Sequence, residues 1–107
     1  MVPEEVREKV RDQLAVVDEQ MEQAGYISEF ISAVPEDNVE KLSAAFASRK
    51  LDGVIVGFGI RGIPENTYLF EKVVAAVRQG APQAKLMFNT SPDTTVDAAK
   101  RWITVSA

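Results

Sequence analysis

The stretch Asp52-Gly53-Val54-Ile55-Val56-Gly57-Phe58-Gly59 constrains this chain more than any other. Val54, Ile55 and Val56 form an unbroken β-branched run between glycines, without the polar alternation of a strand that keeps one face in water. Such a strand is covered on both faces, so the flanking sequence must supply helices for two layers. Over residues 3–24, Val6, Val10, Leu14, Val17 and Met21 recur at steps of four, four, three and four. Pro3, Glu4 and Glu5 suit the start of that helix and Gly25 its left-handed close. A second helix opens at Pro35-Glu36-Asp37-Asn38, turns Val39, Leu42 and Phe46 inward and ends near Arg49-Lys50. A third begins at Pro64-Glu65, buries Leu69, Phe70, Val73, Val74 and Val77, and stops at Gly80 with Pro82 beyond. Ser91-Pro92-Asp93 opens the last, with Val96, Ala99 and Ile103 facing inward.

Two further runs read as strands. Residues 26–34, YISEFISAV, are rich in β-branched and aromatic side chains but are interrupted by Ser28, Glu29 and Ser32, which places them at a sheet edge. Leu86, Met87 and Phe88 form the last strand. The order α-β-α-β-α-β-α predicts one α/β domain over residues 1–107. Its expected form is a three-layer α-β-α sandwich around a short parallel sheet of three strands, with flavodoxin-like or Rossmann-like topology.

Composition narrows the function. Twelve basic against 16 acidic residues give a net charge of -4, so no basic field exists to hold nucleic acid or an anionic membrane. The chain has no cysteine and no histidine, which removes thiolate chemistry, Cys/His zinc sites and the usual proton carrier near neutral pH. No catalytic set, metal site or cofactor is expected. The N-terminal MVPEEVREKV lacks the charge and apolar core of a signal peptide, and no run approaches the roughly 20 apolar residues of a membrane span. A cytoplasmic protein is the expectation.

Val56-Gly57-Phe58-Gly59-Ile60-Arg61, Leu69-Phe70-Glu71, Ala81-Pro82, then Phe88-Asn89-Thr90-Ser91-Pro92-Asp93-Thr94 with Trp102, resemble a family of small bacterial and fungal flavodoxin-like α/β proteins. The resemblance covers the second half of the chain well and the first half loosely, and it brings no assigned activity. It implies a further strand ahead of the first helix, where this sequence has almost none. In a 2-1-3-4 order that strand lies between the first two strands found here, so its loss leaves two unpaired edges. Either those strands pair directly, or a second copy completes the sheet by edge pairing or exchange of elements. A homodimer is the expectation.

Gly57-Phe58-Gly59-Ile60-Arg61-Gly62 matches the spacing of a dinucleotide fingerprint. It follows an interior strand, however, its helix is expected to start only after Gly62, and the next strand ends in Asn89-Thr90 with no acid for a ribose. No Gly-Lys-Ser/Thr follows for a Walker loop, and glycines stand where a receiver domain needs its phosphoacceptor Asp.

What survives is position, because open parallel sheets bind ligands beyond the carboxyl ends of their strands. Gly57, Gly59, Arg61, Glu65 and Asn66 arrive there from one loop, and Asn89, Thr90, Ser91 and Asp93 from the other. Arg61 suits a bidentate clamp on a small anionic ligand, with the Asn and hydroxyl groups orienting it. As an enzyme, such a site would use Glu65 or Asp93 as acid or base. A purely structural account stands beside this: glycines for packing or positive φ, Arg61 solvated or paired to Glu65, Ser91 and Asp93 as helix-start residues. Phe70 and Trp102 are expected in the core or an interface, and Tyr68 at the rim or in water. Two functions therefore compete, a non-enzymatic homo-oligomeric interaction module and a binder or enzyme for an anionic metabolite, and the sequence favours the first.

Overall fold

The computed structural model describes residues 4–105, with side chains described from residue 13 onward. Helix α1 (Glu4–Gln23) turns Leu14, Val17 and Met21 inward, whereas Val6 and Val10 lie outside the described side chains and Pro3 outside the described residues. It ends as its glycine predicts. Gly25 takes φ 94°, the amide of Tyr26 donates to Met21 O at 2.9 Å and that of Gly25 to Glu22 O at 3.0 Å. This pair of bonds closes a helix through a left-handed residue.

Helix α2 (Val39–Ala47) starts at Asn38, whose Oδ1 accepts from the Lys41 amide at 2.8 Å. After it come strand β1 (Gly53–Val56), a single helical turn α3 (Phe58–Arg61), a 3₁₀ turn (Pro64–Asn66) and helix α4 (Thr67–Gly80). Strand β2 (Lys85–Phe88), a second 3₁₀ turn (Pro92–Thr94) and helix α5 (Thr95–Trp102) complete the order. None of these helices is long and apolar enough to cross a membrane.

β1 and β2 pair in parallel, Val54 opposite Leu86 and Val56 opposite Phe88. Those four side chains join the main core, built by Leu42 and Phe46 of α2 and by Leu69, Val73, Ala76 and Val77 of α4. The opposite face carries Ile55 and buried Met87, packed toward α5 and its following residue Ile103, with α1 alongside α5. The sheet is thus covered on both faces, as its unbroken apolar run requires. α2 and α4 approach closely at Gly80, where a Cβ would collide with the Ser43 carbonyl. Burial of a side chain such as Val77, 2% exposed, contributes about 1.5–3 kcal/mol.

The structure departs from expectation at three places. Residues 26–34 are not a strand, and the sheet has two strands, not three. A strand exists only through a ladder partner, and the backbone of residues 27–33 makes no hydrogen bond with any described residue. Side chains hold the segment instead. Secondly, the long helix does start after Gly62, but a separate helical turn at Phe58 lies inside the glycine motif, because Gly57 O accepts from the Ile60 and Arg61 amides at 3.0 and 3.2 Å. Thirdly, of the two places expected for Trp102, core or interface, the single chain excludes the core: it is 57% exposed, since the inner side of α5 is filled by Ala98 and Ala99. Phe70 is half-buried, edge-on to Phe88 with centroids 6.1 Å apart, and Tyr68 faces water with the Lys72 ammonium over its ring.

Candidate functional site

Because β1 and β2 are parallel, the loops after Val56 and Phe88 emerge at one end of the sheet, and the structure brings the expected rim residues together there. They are joined mainly to one another. The Arg61 guanidinium donates to Asn89 O at 3.0 Å and lies 5.3 and 5.5 Å from the ring centroids of Phe58 and Phe88. Its buried Nε has no hydrogen-bond partner among the described residues. The suggested Arg61–Glu65 ion pair does not form, and Glu65 is exposed. Asn89 ties three parts together: Oδ1 accepts from the Phe58 amide at 2.9 Å, Nδ2 donates to Thr95 Oγ1 at 3.0 Å, and its carbonyl takes Arg61.

Asn66 donates to Gly59 O at 2.8 Å. The Thr90 and Ser91 amides both donate to Thr94 Oγ1, at 2.9 and 3.2 Å, and the Ser91 hydroxyl donates to Asp93. These contacts make the turn that leads into α5. Phe58 and Phe88 are the rim residues that sequence reasoning missed, and both were legible only as strand and turn apolars. Two of the glycines, in contrast, are left without a structural purpose. A Cβ at Gly57 or Gly59 would meet nothing within 4 Å and neither has positive φ, whereas one at Gly62 would strike the Phe58 ring. The backbone beside Arg61 is therefore bare.

A second region stands out from the packing. Residues 26–34 touch both helical layers without joining the sheet. Glu29 pairs with Arg49 just past α2, while Ile31 and Ala33 pack on the α2/α4 core. On the opposite side the Tyr26 hydroxyl donates to Ile103 O at 2.9 Å and the Ser28 hydroxyl to the Asp18 carboxylate of α1 at 3.2 Å. Over these five residues odd and even positions thus address opposite layers, as in the pleat of a strand. Yet Ile27 is fully exposed at 105%, Phe30 63% and Val34 42%.

The end of this segment is clipped. Asp37, nearly buried, accepts from the Val34 amide at 2.9 Å and the Lys41 ammonium at 2.8 Å, and Lys72 donates to the carbonyls of Pro35 and Asp37 at 2.6 and 2.7 Å. The Lys41 hydrogen bond, then the Val34 amide, hold the Asp37 carboxyl below its ordinary value, and Asp37 in turn raises Lys41. Protein-family models, curated proteins and solved structures were all compared with the chain, and none matches.

Proposed function

We propose that the protein is a non-enzymatic interaction module that assembles with copies of itself through the unpaired segment at residues 26–34. One observation carries this reading: seven consecutive residues, 27–33, leave their backbone without a hydrogen bond to any described residue while Ile27 and Phe30 stand in water. Unpaired strand-like backbone with apolar side chains is a template for another chain. On assembly the segment gains a ladder partner from a second copy, in a cytoplasmic protein whose cysteine-free sequence needs no oxidising compartment.

Light scattering across a dilution series tests it. The expected result is a mass of two 11.7 kDa chains at high concentration falling toward one on dilution; a folded monomer throughout would remove the reading.

A second reading rests on the bare backbone at Gly57 and Gly59 beside Arg61, which suits close approach of a small anion. Inorganic phosphate or citrate should then raise the melting temperature, and Arg61→Ala should abolish the rise. A rise that survives in Arg61→Ala counts against the clamp.

A further inference from the structure

The segment that the proposed self-association uses has a symmetry of its own. Around Phe30, Ser28 and Ser32 are equidistant, as are Tyr26 and Val34, and as are Ile27 and Ala33. We infer that two copies join by antiparallel pairing of residues 26–34, with the two-fold axis passing between the two Phe30 residues. This inference rests on the self-association reading above and specifies its register.

The layers limit the choice. In each chain Glu29, Ile31 and Ala33 turn toward α2 and the core it shares with α4, while Tyr26 and Ser28 turn toward α1 and the end of α5. For the helical layers of two copies to continue across the joint, the two-fold axis must stand perpendicular to the sheet, and opposed residues must then share parity. The axis therefore passes through a residue position, not between two, and near the middle of the segment the choices are Glu29, Phe30 and Ile31.

Charge and hydrogen bonding decide among them. Centring on Glu29 sets two carboxylates directly opposite, which is destabilising. Centring on Ile31 puts Phe30 against Ser32 and Ile27 against Pro35, which has no amide proton to give to a ladder. Centring on Phe30 opposes like with like: Phe30 with its copy, Ser28 with Ser32, Tyr26 with Val34. Each Glu29 then faces Ile31 of the other copy while its charge stays balanced by Arg49 of its own chain. Phe30, 63% exposed in one chain, gains an aromatic cross-strand neighbour, and its exposure leaves the single chain's packing independent of it. A joint of one strand pair covers less than the roughly 1,200–2,000 Å² of a stable interface. The dimer is accordingly weak and concentration-dependent.

Because the chain contains no cysteine, a single introduced thiol is a unique address. Residues opposed in an antiparallel pair have Cα atoms about 4.5–5.5 Å apart, within disulfide range. Residues displaced by four along the strand stand more than about 13 Å apart, beyond it. Under mild oxidation at a concentration where the unmodified protein is dimeric, Phe30→Cys should form a covalent dimer by itself. Ser28→Cys and Ser32→Cys should each stay unlinked alone and link to one another when mixed. Phe30→Lys, which opposes two ammonium groups, should keep the circular dichroism of the fold and raise the dimer dissociation constant at least tenfold.

If light scattering finds a dimer but Ser28→Cys and Ser32→Cys fail to link on mixing, the register is overturned and the self-association stands. If the unmodified chain is a monomer at about millimolar concentration, well above the Kd of a weak complex, both are overturned.

Discussion

Gly59 and Gly80 carry the same side chain for different reasons. A Cβ at Gly80 strikes the Ser43 carbonyl, so Gly80→Ala must push α4 away from α2 and should cost about 1–3 kcal/mol in denaturant unfolding. At Gly59 a Cβ meets nothing and the backbone already lies in a helical turn, so Gly59→Ala should stabilise by about 0.4–1 kcal/mol. A stabilised Gly59→Ala protein that also loses a phosphate-induced melting shift would locate an anion at the bare turn. Arg61→Ala gives up the bond to Asn89 O and contact with two rings, and should cost about 1–3 kcal/mol in the same assay. At Asp37 the prediction concerns pH. Its folded-state pKa is depressed by Lys41 and the Val34 amide, so the clip stabilises fully above the ordinary carboxylate range and is lost as pH falls through the folded value. Lys41 is raised, so its share persists below its ordinary 10.5 and is lost only at higher pH. Melting temperature should therefore drop on acidification below pH ~4, and Asp37→Asn should start lower and show a shallower drop.

Among the elements, residues 27–33 separate assembly from folding. Their amides, which make no hydrogen bond to any described residue, should exchange with solvent without protection in dilute solution and gain protection as concentration rises. Protection already present at high dilution would place a ladder partner within the single chain. Tyr26→Phe removes the hydroxyl that ties this segment to Ile103 O and should cost about 0.5–1.5 kcal/mol in urea unfolding. The helices and the two central strands were legible because their signals are local: the four-three spacing of Leu14, Val17 and Met21, the Asn38 cap, the positive φ at Gly25, the unbroken Val54-Ile55-Val56 run. Residues 26–34 were misread as a strand, because β-branched composition describes what a segment can pair as, and the partner is a property of topology. At the rim, the sequence brought the right loops together, but Arg61 lies between Phe58 and Phe88, which are 30 residues apart in the chain and invisible to spacing rules. The bare surroundings of Gly57 likewise belong to tertiary packing, since a glycine in a sequence does not announce whether its empty side is filled.

For the molecule as a whole, two strands under helices on both faces make a small core, and stability should depend on concentration if copies complete it. The melting temperature should rise with protein concentration, a dependence that a self-sufficient monomer lacks. Each chain carries a net charge of -4, so two copies repel at long range. Raising ionic strength from about 0.01 M to about 0.15 M shortens the screening length from ~30 to ~8 Å. The dimer should therefore tighten with salt, the reverse of a complex held by opposite charges; weakening would point to ion pairs at the joint. The exposed position of Trp102 reaches further than the packing of α5. It is the only indole in the chain, and it already stands 57% in water when the fold is intact. Its emission should therefore resemble that of a solvated indole before any denaturant is added, and the red shift on unfolding should be small. Optical titrations of this protein will register loss of structure through the far-ultraviolet helical signal, while the tryptophan reports the last turn of α5 and whatever comes to lie against it.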